Sequence, residues 1–373
     1  MKYQYLVINE DINTGLLKSQ VISPLSACAE FGLDVELINI HKLGRGTGEY
    51  RNKKNIPIAI PYRAYMFNFL FFLTPIIAFL YSLILFFYIK RGNVVAARSY
   101  FPSLVLYFLS KYRNVNYIFD SRSLFIDENT LNGNFKVGSL NYKMWKFFEK
   151  LIVDSSVKTI AVSKKQLDYY KNISPGSCVE IIPCYARVDC YSSTNSSDVL
   201  KEKMGYLNDD IIIAYYGSLD NGWNNIDLYN DFFNVATNLG AKVIILSQSY
   251  NYIVNDPRLQ MANVTIVDTR ALSSVEVNEI LKISDYGVVL MKKAADWETR
   301  LSVKFVDYLS AGLQVIVGQY VGEACRYARE SFSDRAIIYG SDDQVLKFSP
   351  KENYSNDKVS SIFGEKNMLK VFS

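Results

Sequence analysis

Lys304 and Asp307 stand three positions apart in the stretch "LSVKFVDYLSAGLQVIVG" (301–318). On a helix that spacing puts both on one face. A lysine beside the first N–H groups of a helix suits a diphosphate. A carboxylate one turn further in can accept two ribose hydroxyls. Ser302 is a good N-cap for such a helix, and Arg300 adds positive charge just before it. The same two residues also read as an ordinary surface pair on a core helix, and both readings stay open. A second set lies in the first half. "AARSYFPS" (96–103) and "FDSRSLFIDE" (119–128) each begin where an apolar run ends, which sets Arg98, Asp120 and Arg122 at strand ends. There they either serve a ligand or pair with one another, since unpaired buried charge is costly. Gly217 and Ser218, in "AYYGSLDNGWNN" (214–225), close another apolar run, and a helix is expected from Asn224 or Asn225. Such a turn can hold phosphate on its N–H groups or simply connect two elements. "NTGLLKSQV" (13–21) opens the first helix on a turn at Gly15.

These residues need a scaffold, and the pattern supplies one. Apolar runs at 3–8, 34–40 ("DVELINI"), 93–99, 115–120, 157–163 and 178–183 alternate with helix-length segments, the first from about Leu16 to Phe31 with Gly32 as its stop. Residues 191–210 are polar and Ser/Asn-rich, and read as a linker. The alternation then restarts at 211–218, 241–247, 263–268, 286–291, 313–318 and 335–340. Residues 359–373 read as an amphipathic helix. Strand–helix alternation of this kind makes an α/β protein with parallel sheets covered on both faces. Two doubly wound halves facing one another make a deep cleft, with ligands outside the carboxyl ends of the strands. The expected domains are 1–190, 211–358 and a C-terminal helix.

Composition removes several classes. A net charge of +4 over 373 residues, with no Lys/Arg run, gives no case for nucleic acid. The single histidine, His41, excludes a Ser-His-Asp triad in practice, and a loop position after the second strand is expected for it. Cys28, Cys178, Cys184, Cys190 and Cys325 are odd in number and lack C-x2-C spacing, so free thiols in a reducing cytoplasm are expected. No D-x-D for a metal-held nucleotide-sugar is present. The opening "MKYQYLVI" has a strand pattern rather than that of a leader peptide.

Residues 64–89 carry no charge over 26 positions, bounded by Arg63, Lys90 and Arg91. As one helix they would measure about 39 Å, enough for a hydrocarbon core of about 30 Å. Strands expected on both sides of the block must share one sheet, so a single crossing would split the domain, and Pro75 could break the segment in two. An element lying in the membrane surface is preferred, with a buried core helix and a true span as the other readings.

Taken in order, these stretches resemble glycosyltransferase family 4. "LSVKFVDYLSAGLQVIVGQYVGEA" is similar to its S-P-T-K-x-x-E-Y-L-A-x-G-L-P-V-I pattern. "YYGSLDNGW", "ISDYGVVLM", "VVAARSYFPS", "IFDSRSLFIDE" and "LLKSQV" are similar to its weaker blocks. The resemblance implies the GT-B fold, two facing Rossmann-like domains. It implies a nucleotide-diphosphate sugar as substrate, no cofactor, no metal, and retention of anomeric configuration. It puts Asp307 on the donor ribose, Lys304 at the motif lysine, and Gly217 and Ser218 beside the donor phosphates. Arg300, Leu301 and Ser302 fall where the helix start meets the diphosphate. Gly15, Arg98, Tyr100, Asp120 and Arg122 match the face the acceptor enters, with Arg98, Asp120 and Arg122 as the catalytic set. Asp307 stands where the family has Glu, Gln314 where it has Pro, and Ser123 where it has Gly. Asp220 and Asn221 occupy the place of a basic residue, and Glu298 lies near the family's earlier carboxylate. The implied activity, a hexosyltransferase reaction, elongates a saccharide on a polyprenyl diphosphate for a surface polysaccharide such as O-antigen or capsule. The enzyme would sit peripherally on the inner face of the cell membrane. The alternative is a degenerate scaffold in a polysaccharide assembly complex.

Overall fold

A computed structural model describes residues 2–10, 14–42, 53–58, 69–186, 197–219, 226–293, 298–340 and 346–373. The chain forms two compact units, Met1–Pro183 with Glu365–Ser373, and Cys184–Gly364. The first boundary falls earlier than the expected 190. The expected linker does not persist where it is described: Ser197–Lys203 is a helix of the second unit, and 191–196 lie outside the described residues. The expected C-terminal helix is also divided. Asp357–Phe363 belongs to the second unit, and Glu365–Met368 and Leu369–Phe372 return to the first. Phe372 packs on Tyr3 there, ring centroids 5.1 Å apart, and Lys158 Nζ donates to the Lys370 carbonyl at 2.9 Å.

The first unit is built on seven parallel strands: β1 (Tyr3–Ile8), β2 (Val35–Lys42), β3 (Lys53–Ile58), β4 (Val94–Arg98), β5 (Asn116–Asp120), β6 (Lys158–Ala161) and β7 (Val179–Ile181). Their order is β3-β2-β1-β4-β5-β6-β7. The second unit has six parallel strands: β8 (Ile212–Tyr216), β9 (Lys242–Ser247), β10 (Val264–Asp268), β11 (Tyr286–Val289), β12 (Gln314–Gly318) and β13 (Ala336–Tyr339), in the order β10-β9-β8-β11-β12-β13. Both are doubly wound, and in each the order reverses beside the first strand. Such switch points, between β1 and β4 and between β8 and β11, are where ligands bind in this architecture. β3, "KKNIPI", escapes the sequence pattern because lysines and a proline interrupt its apolar period. It is an edge strand, where proline is tolerated. His41 lies in β2 and is buried, rather than in a loop.

Within the apolar block, the described part starts at Phe69. Pro75 sits in the first turn of the Thr74–Leu85 helix and starts it instead of breaking it. Twelve residues span about 18 Å. One face is core: Ile77, Ala78, Tyr81 and Leu85 are buried, and the Tyr81 ring meets Phe101 at 5.6 Å. The opposite face is exposed through Phe72, Ile76, Phe79, Leu80 and Leu83, flanked by Phe69 (82% exposed) and Phe87 (85%). Among the described residues, no helix is long and apolar enough to cross a membrane.

Candidate functional site

In the second unit, β8 runs into Gly217, whose φ of +149° favours glycine. A second reason for glycine is space. A Cβ there would lie 2.6 Å from Lys304 Cε and 2.9 Å from its Nζ. Lys304 sits in the first turn of the Val303–Ser310 helix, so this contact joins that helix start to the end of β8, at the switch point. The lysine lies over the Tyr215 ring, 4.6 Å from its centroid, and Nζ donates to the Tyr215 hydroxyl at 3.0 Å. The Tyr215 hydroxyl in turn donates to the Ser218 carbonyl at 2.9 Å, and the Ser218 and Ser249 hydroxyls are 2.8 Å apart. Burial pulls the Lys304 pKa down to about 7.

Ser302 occupies the N-cap position, but its side chain accepts no helix N–H. Phe305 N–H donates instead to the Ser302 backbone carbonyl at 3.1 Å, and a helix start of this kind is where an anion can bind. Asp307, one turn on, is 7% exposed. The helix stops as expected: Gly312 takes φ +79° and Leu313 N–H donates back to the Tyr308 carbonyl at 3.0 Å. Leu301 departs from the expectation. It is buried in the core, with the Cys184 thiol on its carbonyl at 3.7 Å, so it anchors the loop rather than meeting a ligand. Arg300 is half-buried beside it. Glu298 packs against Gly322, where a Cβ would come within 2.5 Å of Glu298 Cα. The turn 220–225, including Asp220, Asn221 and the expected helix start, lies outside the described residues.

The first unit gathers its charges at the ends of β1, β4 and β5. Asp120 is fully buried, pairs with Arg122 Nε at 2.8 Å, and accepts from the Tyr5 hydroxyl through its other oxygen. Burial, then the Asp120 charge, pushes the Tyr5 pKa far up, so it remains a donor. Arg98 does not join that pair. Its Nε reaches Glu10 at 3.2 Å across the switch from β4 to β1. Burial and the nearby Arg122 oppose the Arg98 charge, but Glu10, with Tyr5 and Asp120, holds its pKa above the ordinary value. The chain's positive-φ residues other than glycine, among those described, are Asn9 (57°), Ser99 (71°) and Arg122 (57°). Asn9 and Ser99 follow directly on β1 and β4, and Arg122 comes two residues after the end of β5; such conformations cost about 1–3 kcal/mol each.

Gly15 begins a helix after the Thr14 cap, is exposed, and has open space where a Cβ would go; nothing there demands glycine. Tyr100 also departs from the expectation. It is fully buried, and its hydroxyl donates to Glu149 Oε1 at 2.6 Å, away from any surface an acceptor could reach. Sequence reasoning missed Tyr5, Glu10 and Tyr215. Tyr5 and Tyr215 lie inside apolar strand runs, where an aromatic residue reads as core. Glu10 sits in a polar loop with nothing to distinguish it. Among the described residues, no cluster of His, Cys, Asp or Glu could hold a metal ion.

No family model and no curated protein matches the chain. Solved structures do. Sucrose-phosphate synthase from Thermosynechococcus elongatus is similar with a TM-score of 0.68 at 12% identity, covering 100% of this chain and 97% of that one. The E. coli trehalose-6-phosphate structure bound with UDP-2-fluoro glucose has a TM-score of 0.61 at 10% identity, covering 100% and 93%. An alpha,alpha-trehalose-phosphate synthase (UDP-forming) from Burkholderia xenovorans, in complex with glucose-6-phosphate, has 0.63 at 9%, covering 91% and 89%. The chain has the GT-B fold of these glycosyltransferases.

Proposed function

We propose that the chain is a glycosyltransferase that moves a sugar from a nucleotide-sugar donor to a saccharide acceptor. The observation that carries this is Lys304, brought from a helix start onto Gly217 at the β8–β11 switch point. A diphosphate placed there meets the lysine, the positive end of the Val303–Ser310 helix, and Arg300 just before it in the chain. Fixed positive groups aimed at the departing diphosphate are the main means of catalysing its loss. Asp307 would accept the ribose hydroxyls one turn further in. The acceptor would be held in the first unit by the Arg98, Asp120 and Arg122 cluster. Among the solved structures of this fold, one is bound with UDP-2-fluoro glucose and another is in complex with glucose-6-phosphate, which supports a nucleotide-sugar and a sugar as the two substrates. A metal is not needed for it, and the family resemblance favours retention.

The finer reading is elongation of a polyprenyl-diphosphate-linked saccharide for a surface polysaccharide, at the inner face of the cell membrane. The exposed apolar face of the Thr74–Leu85 helix supports membrane association, as does the absence of any Asp or Glu from 64 to 119. Purified protein incubated with a panel of nucleotide-sugars and a polyprenyl-diphosphate acceptor tests the activity, with calorimetry for nucleotide binding. Transfer with one donor is expected. No transfer and no nucleotide binding refutes the proposal, and binding without turnover assigns the scaffold role instead. Liposome flotation of wild type against a variant with Phe72, Ile76, Phe79 and Leu83 changed to Ser tests the membrane face; equal flotation removes it.

A further inference from the structure

The helix that carries Lys304 is fastened to β8 by two tyrosine hydroxyls, and they hold different things. The first belongs to Tyr308. Its ring lies so close on β11 that a Cβ at Gly287 would come within 2.2 Å of it, and its hydroxyl accepts from the Tyr216 N–H at 2.8 Å. The register of β8 with β11 ends at Ala214 and Gly287, so this phenol stands in for a strand partner where the two strands part. It ties the helix itself to the sheet. The second hydroxyl belongs to Tyr215, which is fully buried in β8. It accepts from Lys304 Nζ at 3.0 Å and donates to the Ser218 carbonyl at 2.9 Å. A phenol has one proton to give. Here it goes to Ser218, so toward Lys304 the oxygen acts as an acceptor. The turn it rests on is anchored to β9. Gly217 N–H donates to the Leu246 carbonyl at 2.9 Å, the Ser218 and Ser249 hydroxyls are 2.8 Å apart, and Ser249 N–H donates to Ser247 Oγ at 3.0 Å. A Cβ at Gly217 would meet Lys304 Nζ at 2.9 Å and the Tyr215 hydroxyl at 3.3 Å, so amine, phenol and turn surround one spot.

We propose that Tyr215 is a positioning residue of the donor site: its hydroxyl holds the Lys304 amine on the Gly217–Ser218 turn, where the departing diphosphate is read to sit. This rests on the reading of Lys304 as a partner of that diphosphate, but it can fail separately. Because Tyr308 already ties down the helix, the Tyr215 hydroxyl is not needed to place it and acts on the amine. A lysine is a point charge on a flexible stem, and catalysis by electrostatics needs that charge fixed beforehand. Burial lowers the amine's pKa to about 7. A hydroxyl that accepts from the amine favours its charged form, which is the form an anion requires. Arg300, before the helix, and Asp307, one turn along it, are the charged groups that flank Lys304 most closely in the chain beyond Glu298, and all three stay in place in the variants below.

The test uses Tyr215→Phe, which deletes one hydroxyl and keeps the ring under the lysine. The readout independent of any nucleotide is acetylation of Lys304 by acetic anhydride across pH, followed by peptide mass, which reports the titration of the amine. Its midpoint is expected to fall by about one pH unit, because the charged amine loses a hydrogen bond. 3-Fluorotyrosine incorporated at position 215 keeps both hydrogen bonds with a weaker acceptor, and should move the midpoint the same way by less. Tyr308→Phe is the control, expected to lower the melting temperature and leave the midpoint in place. An unchanged midpoint in both Tyr215 variants overturns the proposal. So does an equal shift in Tyr308→Phe, which would make helix placement the cause. Calorimetry with UDP, GDP, ADP and dTDP is the second readout. The diphosphate that binds the wild type is expected to bind Tyr215→Phe about 10-fold more weakly near pH 7, with no further loss when the change is made in a Lys304→Met background. Additive losses would mean that Tyr215 does not act through Lys304 and would overturn it. If none of the four binds the wild type, the donor-site reading fails, and the acetylation profile still decides whether Tyr215 holds the amine.

Discussion

The two sheets share the order of their first six strands, and each has cations near its switch point, yet those cations have different neighbours. In the first unit the two guanidiniums near the switch point each have a carboxylate within 3.2 Å: Arg122 with Asp120, and Arg98 with Glu10. Unusual backbone angles there fall on Asn9, Ser99 and Arg122. In the second unit Lys304 lies on a phenol ring and a glycine, burial lowers its pKa to about 7, and the unusual angle belongs to Gly217. A charge-paired frame suits a ligand of hydroxyl groups, which needs fixed donors and acceptors but no net charge. A desolvated lysine suits an anion that restores its charge on arrival. On the proposed reading, the difference teaches that one topology can carry a site for sugar hydroxyls and a site for a diphosphate, distinguished by what stands next to the cation.

The comparison breaks most visibly at Asp120. Asp120→Ala leaves Arg122 without its carboxylate in a buried setting, which costs about 3–5 kcal/mol. Denaturant unfolding should show that loss in the first unit, with nucleotide binding by the second intact. Next comes Gly217→Ala. The added Cβ meets Lys304 at 2.6 Å, and a strained left-handed position costs about 1–3 kcal/mol. Because Lys304 must move, calorimetry should show nucleotide affinity falling far more than stability does. Equal losses in both would mean the Gly217–Lys304 contact is packing only.

Much of this contrast was open to reading in the sequence, because strand-end placement follows from where apolar runs stop. The ends of β4, β5 and β8 fall within a residue or two of the apolar runs, and Arg98, Asp120, Gly217 and the Ser302 helix start lie where alternation put them. What stayed illegible depended on partners far along the chain. Nothing local tells that Arg98 reaches back to Glu10, that Tyr5 donates to Asp120, or that Tyr100 turns inward to Glu149. Leu301 looked like part of a binding loop because it sits between Arg300 and Ser302, and only packing shows that it is core. β3 was hidden by its lysines and proline. The tail beyond Phe363 gave no local sign that it would return to the first unit.

Lys304→Met separates binding from folding in the second unit. It keeps the aliphatic stem over Tyr215 and removes a buried amine. The melting temperature should hold or rise, while diphosphate affinity should fall about 10–100-fold, the loss of one charged hydrogen bond of about 1.5–3 kcal/mol. The corresponding change in the first unit, Arg98→Met, should instead lower stability, because Glu10 loses its partner.

The smallest effect is the one with pH. Lys304 is lowered from an ordinary 10.5 to about 7 in the folded chain. Between those values the unfolded chain binds a proton that the folded chain does not, so stability rises with pH across that window and is flat with respect to this group below it. Nucleotide binding has the opposite sign. A diphosphate favours the charged amine, so above about pH 7 binding must take up a proton, and affinity falls as pH rises. Calorimetry in buffers of different ionisation enthalpy should detect that uptake at pH 8 in the wild type and lose it in Lys304→Met. An affinity independent of pH from 7 to 9 would mean that Lys304 does not meet the anion, and the contrast between the two sheets would then have no functional content.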